Sequence, residues 1–282
     1  MTLHIAEPGA HAPPIGWTIE REIILLLAWG PAILLQVAHP LIAQGVADHS
    51  AFRKQRWGRM RRFRGTLDAM LGLCFGTEHE RRVVVARINA IHDTVHGTLP
   101  LPAGVFPAGT SYSAHDPALL SWVHATLLDM NVRVYERFVA PLAIRERDGY
   151  CAEGAVIEGA LGIPVGSLPR TWDELQRYMS SMLSDGQLAI TDTARALARD
   201  VLDPGGPVVG RSVMWWPRLM TLGLLPSTIR EAYGFPWDAR RERLFGLSTT
   251  LLRKLLPLVP PPLRHWRAAY RSRRAACPFG GK

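Results

Sequence analysis

The chain has 282 residues, 48% of them hydrophobic, and a formal net charge of +9. That apolar content excludes wholesale disorder and supports one large domain or two small ones. The three cysteines, Cys74, Cys151 and Cys277, lie far apart without a CxxC pair, which argues against a disulfide framework or a structural zinc site and for a reducing compartment.

Residues 1–16 are rich in Pro, Gly and Ala and read as an extended N-terminal arm. They lack the basic start and immediate apolar run of a secretory signal, so a cytoplasmic protein is expected. From Ile23 to Ala47 there is no Asp, Glu, Lys or Arg. That length could cross a bilayer, but Pro31, Pro40, Gln36, Gln44 and His39 interrupt it. We read two buried helices, with the break expected at Gly30-Pro31. His39 precedes Pro40, which biases its backbone away from the α-helix. It is either a satisfied core group or a side chain aimed into a pocket.

Residues 53–64 hold the densest basic cluster before the C-terminus. Most of these arginines suit a solvated helix face. Arg62 and Thr66, four apart, share a face that continues into Met70 and Leu73, so this face is expected to turn inward. An inward arginine needs an anionic partner, because an unpaired buried charge is costly.

Thr77 with Glu80 makes a capping box. Val84, Ile88, Ile91 and Val95 then recur at helical spacing, and Gly97 stands where a left-handed C-cap is wanted. His92 falls at the edge of that stripe, with Arg87 on its other flank. A neutral imidazole there can ligate a metal or a haem iron, or bond a carbonyl as a core histidine.

The Pro- and Gly-rich stretch 98–115 reads as a loop long enough to suit a functional role. Asp116-Pro117 opens the next helix, with Leu119, Leu120, Val123, Leu127 and Met130 on its core face and Trp122 and His124 beside them. Further helices are expected over 145–161, ending at Gly162, and after a second capping box at Thr171 and Glu174. Others follow over 191–202, 215–225, 227–233 and 238–256. No stretch alternates as strands do, so the fold class is all-α. The tail, 258–282, has Arg264, Arg267, Arg271, Arg273 and Arg274 with Trp266 and Tyr270 and no acid. As a helix it suits a membrane interface; otherwise it is a solvated terminus.

No GxSxG, HExxH, GxxxxGK[ST] or strand-borne GxGxxG motif is present. His39, His92 and His124 on apolar helices, with Arg62, fit a buried prosthetic group between helices. A non-haem metal would need a carboxylate that spacing does not single out.

In order and spacing, several stretches resemble one family. They are VAHPLIAQGVADHSAF, RFRGTLDAMLGLCFG, RINAIHDTVHG, TSYSAHDPALLSWVHATL, LPRTWDEL and LLPSTIREAYGFPW. The family is the MpaB/rubber-oxygenase catalytic domain, which includes the latex-clearing proteins. The resemblance runs from about residue 20 to about residue 240 and implies a globin-like helical bundle enclosing one haem b; a single domain over 17–257 is expected. It implies that His92 is the proximal iron ligand, with His96 the alternative, and that Arg62 and Thr66 match a distal R-x-x-x-T pair. Where some members place a lysine before the threonine, this chain has Gly65, so a lysine-capped iron is not expected. His39 and His124 rank lower as pocket residues. The function implied is a haem-dependent oxygenase taking dioxygen and an apolar, isoprenoid or terpenoid substrate. The rival readings are a haem- or lipid-binding protein without turnover, and a basic membrane-surface or nucleic-acid binder with no cofactor. No specific nucleic acid is expected, because no standard nucleic-acid-binding motif is present.

Overall fold

The computed structural model describes residues 13–49, 56–203 and 208–276, with only the backbone described at 56–62, 208–213 and 272–276. It is predominantly helical, as expected. Helix α1 (Ile15–Glu20) leads through a 3-10 turn into α2 (Leu26–Gln36) and α3 (Pro40–His49). Then come α4 (Arg56–Phe75) and α5 (Glu78–His92), followed by two short strands, β1 (His96–Thr98) and β2 (Ser111–Ser113). The strands pair antiparallel, with Gly97 opposite Tyr112. The part of the 98–115 stretch expected to be loop is therefore partly sheet.

The centre is α6 (Pro117–Phe138), capped by Asp116, whose side chain accepts the Ala118 N–H. Its inner side is fully buried at Trp122, Met130 and Phe138. Helix α2 lies along it, and the Trp122 indole donates to the Leu35 carbonyl at 3.2 Å. An indole N–H buried beside a helix end finds its acceptor there, so α2 and α6 are fixed in register as well as packed.

The break between the first two apolar helices lies at Val37–His39, not at Gly30-Pro31. Pro31 sits inside α2 and is buried. A Cβ at Gly30 would come within 2.5 Å of Thr221 Oγ1, so glycine is needed there for close helix approach rather than for a bend. Pro40 supplies the turn, because it restricts His39. The two segments meet at 106°, and among the described residues no single helix is long and apolar enough to cross a membrane.

Beyond α6 the stretch expected as one helix divides into α7 (Ile144–Gly154), a 3-10 turn and α8 (Glu158–Leu161), closed by Gly162 at φ +76°. Helices α9 (Trp172–Ser184), α10 (Asp192–Leu202), α11 (Val208–Leu224), α12 (Ser227–Ala232) and α13 (Ala239–Leu255) complete the body. The Thr171/Glu174 capping box of α9 is formed.

The tail folds back as α14 (Pro261–Arg264) and α15 (Arg267–Ala276). Glu22, fully buried, receives a two-pronged bond from Arg264 at 2.7 and 2.9 Å and lies 3.1 Å from His265 Nε2. The Trp266 N–H donates to the Arg21 carbonyl, and the Trp17 indole to that of Ala269. These bonds fasten the chain's last described helices onto its first. Cys277, Arg273 and Arg274 lie outside the residues whose side chains are described.

Candidate functional site

Helices α4 and α5 form an antiparallel hairpin around Gly76. A Cβ at Gly72 would meet Val84 at 2.8 Å, and one at Gly65 would lie 3.7 Å from Arg87 Nη2. That register sets the Arg62–Thr66 turn of α4 level with the Arg87–His92 turn of α5. The described part of the hairpin buries little: α5 contains no buried residue, and Val83 and Ile91 are each 55% exposed. The apolar stripe expected to enter the core is thus half open. It is a helix pair with an uncovered apolar surface.

His92 ends α5. The Thr77/Glu80 capping box forms at the other end, with bonds of 2.7 and 3.2 Å. The C-terminus differs from expectation: Asp93 is the cap, and Gly97 belongs to β1. The glycine is required because a Cβ there would stand 2.5 Å from Tyr112 Oη. The helix stops before His96, which is exposed on the strand rather than one helical turn above His92. The His96 carbonyl accepts from His49 Nε2 at 3.0 Å. Nearby, Tyr112 donates to Asp48 Oδ2 at 2.6 Å.

His92 is half-buried and its Nδ1 is enclosed without a hydrogen-bond partner. Burial holds its pKa below the ordinary imidazole value, helped by His115 and opposed by Asp93. At neutral pH it is therefore the uncharged, ligating form. The β1–β2 pairing brings His115 over it: the rings meet edge-on at 5.7 Å, and His115 Nε2 is 2.7 Å from Asp93 Oδ1. Sequence reading did not single out His115 or Asp93. His115 stood in one of the family-like stretches, but only strand pairing puts it beside His92.

His39 and His124 also carry unpartnered buried ring nitrogens, Nδ1 and Nε2 respectively. Burial pulls both pKa values down to about 4. His39 lies against Phe106 with ring centroids 5.0 Å apart, and His124 Nε2 abuts Gly154. Among the described residues, no three His, Cys, Asp or Glu side chains gather where they could hold a metal ion. Thr66 is exposed rather than turned inward, and the Arg62 side chain lies outside the described residues. Among the described side chains, Arg87 reaches this level, its guanidinium passing beside Gly65. The partly buried Asn89 fastens α5 to α8 by donating to the Ala160 carbonyl at 3.1 Å.

Residues 17–254 match the family described as ER-bound oxygenase mpaB/B'/rubber oxygenase, catalytic domain. The chain belongs to this family. Among curated proteins, it is similar to an uncharacterised protein of Mycobacterium bovis and one of Mycobacterium tuberculosis. Each is 25% identical over 245 residues, covering 84% of this chain and 90% of the relative. No solved structure matches it.

Proposed function

We propose that this protein is a haem b-dependent oxygenase that acts on an apolar, isoprenoid- or terpenoid-like substrate with dioxygen. The observation that carries the reading is His92: a neutral imidazole with an unpartnered ring nitrogen, on a helix hairpin whose apolar surface is open. A buried, unpaired nitrogen costs roughly 1–3 kcal/mol, and a ligand atom would remove that cost. Haem iron asks the protein for one such nitrogen. A non-haem iron site asks for two histidines and a carboxylate, and the described residues gather no such set.

In this reading His92 would hold the iron, and the His115–Asp93 pair would fix the rotation of the His92 ring from the side. Arg87, on the other flank of α5, would offer positive charge to a haem carboxylate, with the Arg62–Thr66 turn of α4 at the same level. The half-open apolar faces of α4 and α5 shed water and accept hydrocarbon. When bound, the haem supplies the oxygen activation, while these side chains bind, orient and exclude water.

The test is the visible absorption spectrum of protein expressed with haem precursor, joined to haem extraction. A Soret band at about one haem per chain, with turnover of an apolar alkene and consumption of dioxygen, is expected. No Soret band after reconstitution would overturn the haem assignment.

A further inference from the structure

The net positive charge of this protein arises at one end of the chain. Residues 243–282 hold nine Lys or Arg and no Asp or Glu, so the first 242 residues are formally neutral. Helix α13 begins this segment. It buries Phe245 and Thr249, while Leu247, Leu251 and Leu255 recur every fourth residue. At about 100° per residue they form a row on the side away from Phe245. Leu258 and Leu263 follow in the chain, and all five leucines are 46–76% exposed. Arg243 and Lys254 fall on the same side of α13.

At the N-terminal end of α13 the surface opens into a cleft of about 430 Å³, where the half-exposed Trp215 meets Arg218 and Arg240. Neither arginine forms a salt bridge among the described residues; Arg241 beside them takes Asp238 at 2.7 Å.

We propose that the α13–α14 face is a docking surface for an anionic lipid bilayer, on which the leucine row enters the acyl boundary and the basic residues meet the headgroups. Charge and apolarity together select this partner. Nucleic acid would use the charge and leave the leucines in water. A second copy would cover the leucines only by bringing two strongly cationic faces together. A bilayer containing acidic lipid satisfies both, with a tryptophan at headgroup level. The aromatic residues of the tail are not the insertion element: the partly buried Trp266 lies against Leu26 and Leu71 of the body, and Tyr270 bonds His265. This inference does not rest on the haem reading.

Sedimentation of the full chain with vesicles tests it. Vesicles of phosphatidylcholine and phosphatidylserine, three to one, are expected to pellet the protein, and phosphatidylcholine alone to do so weakly. Rising salt should weaken binding. The variant L247S/L251S/L255S should keep its helical circular dichroism and bind at least tenfold more weakly. R243Q/K254Q should lose roughly fivefold per charge removed. Unchanged binding of the leucine variant, equal binding to both vesicle types, or binding to duplex DNA but not to vesicles would each overturn the proposal.

Discussion

The ring of His92 meets that of His115 edge-on at 5.7 Å, although one residue ends α5 and the other follows β2. Twenty-three positions separate them, and the Gly97–Tyr112 pairing closes the distance. The proposed ligand is thus held by two structures at once, a helix end and a two-stranded sheet.

Replacing His92 by alanine should abolish haem retention while leaving the helical circular dichroism intact, because its half-buried ring lies outside the hydrophobic core clusters. His96→Ala should retain haem, since His96 is exposed on the strand. Soret absorbance of the two purified variants separates them. Full haem content in the His92 variant would move the ligand elsewhere, with His39 and His124 the next candidates.

Arg87→Gln should preserve the fold and speed haem loss to an acceptor globin by about tenfold. That is the loss expected for one charge-assisted hydrogen bond. An unchanged release rate would place Arg87 on the solvated surface.

Stability should fall as pH drops below the ordinary imidazole pKa. His39 and His124 are depressed to about 4 by burial, so between about 6.5 and about 4 the unfolded chain binds protons that the folded chain does not. The neutral buried form contributes fully above about 6.5, and its contribution is lost progressively towards 4. The limiting slope is about 1.4 kcal/mol per pH unit for each histidine. Denaturant titrations at pH 7, 6 and 5 should show the loss, and H39Q and H124Q should each flatten the slope. A stability that does not change over this range would contradict it.

Glu22→Ala leaves Arg264 and His265 without their shared acceptor. Breaking a buried pair costs roughly 3–5 kcal/mol, and the partial exposure of Arg264 argues for the lower end. At this chain length that lowers Tm by roughly 6–12 °C. Because the tail is fastened in this way, removing residues 258–282 should also destabilise the fold, beyond any effect on membrane contact. Differential scanning calorimetry of both variants measures this.

Where structure is decided by neighbours in the chain, the sequence was readable. The Thr77/Glu80 and Thr171/Glu174 capping boxes and the Asp116-Pro117 start involve groups within four residues, and all three form. Gly162 also closes its helix with a left-handed turn. Gly97 was misread because its constraint comes from Tyr112, across a strand pair that no local pattern announced. Pro31 was misread for the same reason: burial of α2 holds the helix through it. Of the four histidines chosen from the sequence, His39, His92 and His124 carry unpartnered buried ring nitrogens, and the exposed His96 does not. Arg87, His115 and Asp93 gained their place only through hairpin register and strand pairing. Thr66 failed the expectation of facing inward because α4 turns Leu67, Met70, Leu71 and Cys74, not Thr66, towards α1, α2 and the tail.

The bond from Trp122 to Leu35 spans 87 residues, and this has a consequence for how the protein is made. Helix α2 leaves the ribosome as an uncharged apolar segment, while α6, its main cover, is still unmade. At ordinary synthesis rates the wait is on the order of ten seconds, far longer than hydrophobic collapse takes. During that interval the nascent chain presents its stickiest element to the cell, which makes it a natural client for chaperones that recognise short apolar segments. Expression yield should therefore respond to translation speed between residues 37 and 138 more than to codon choice in the C-terminal half.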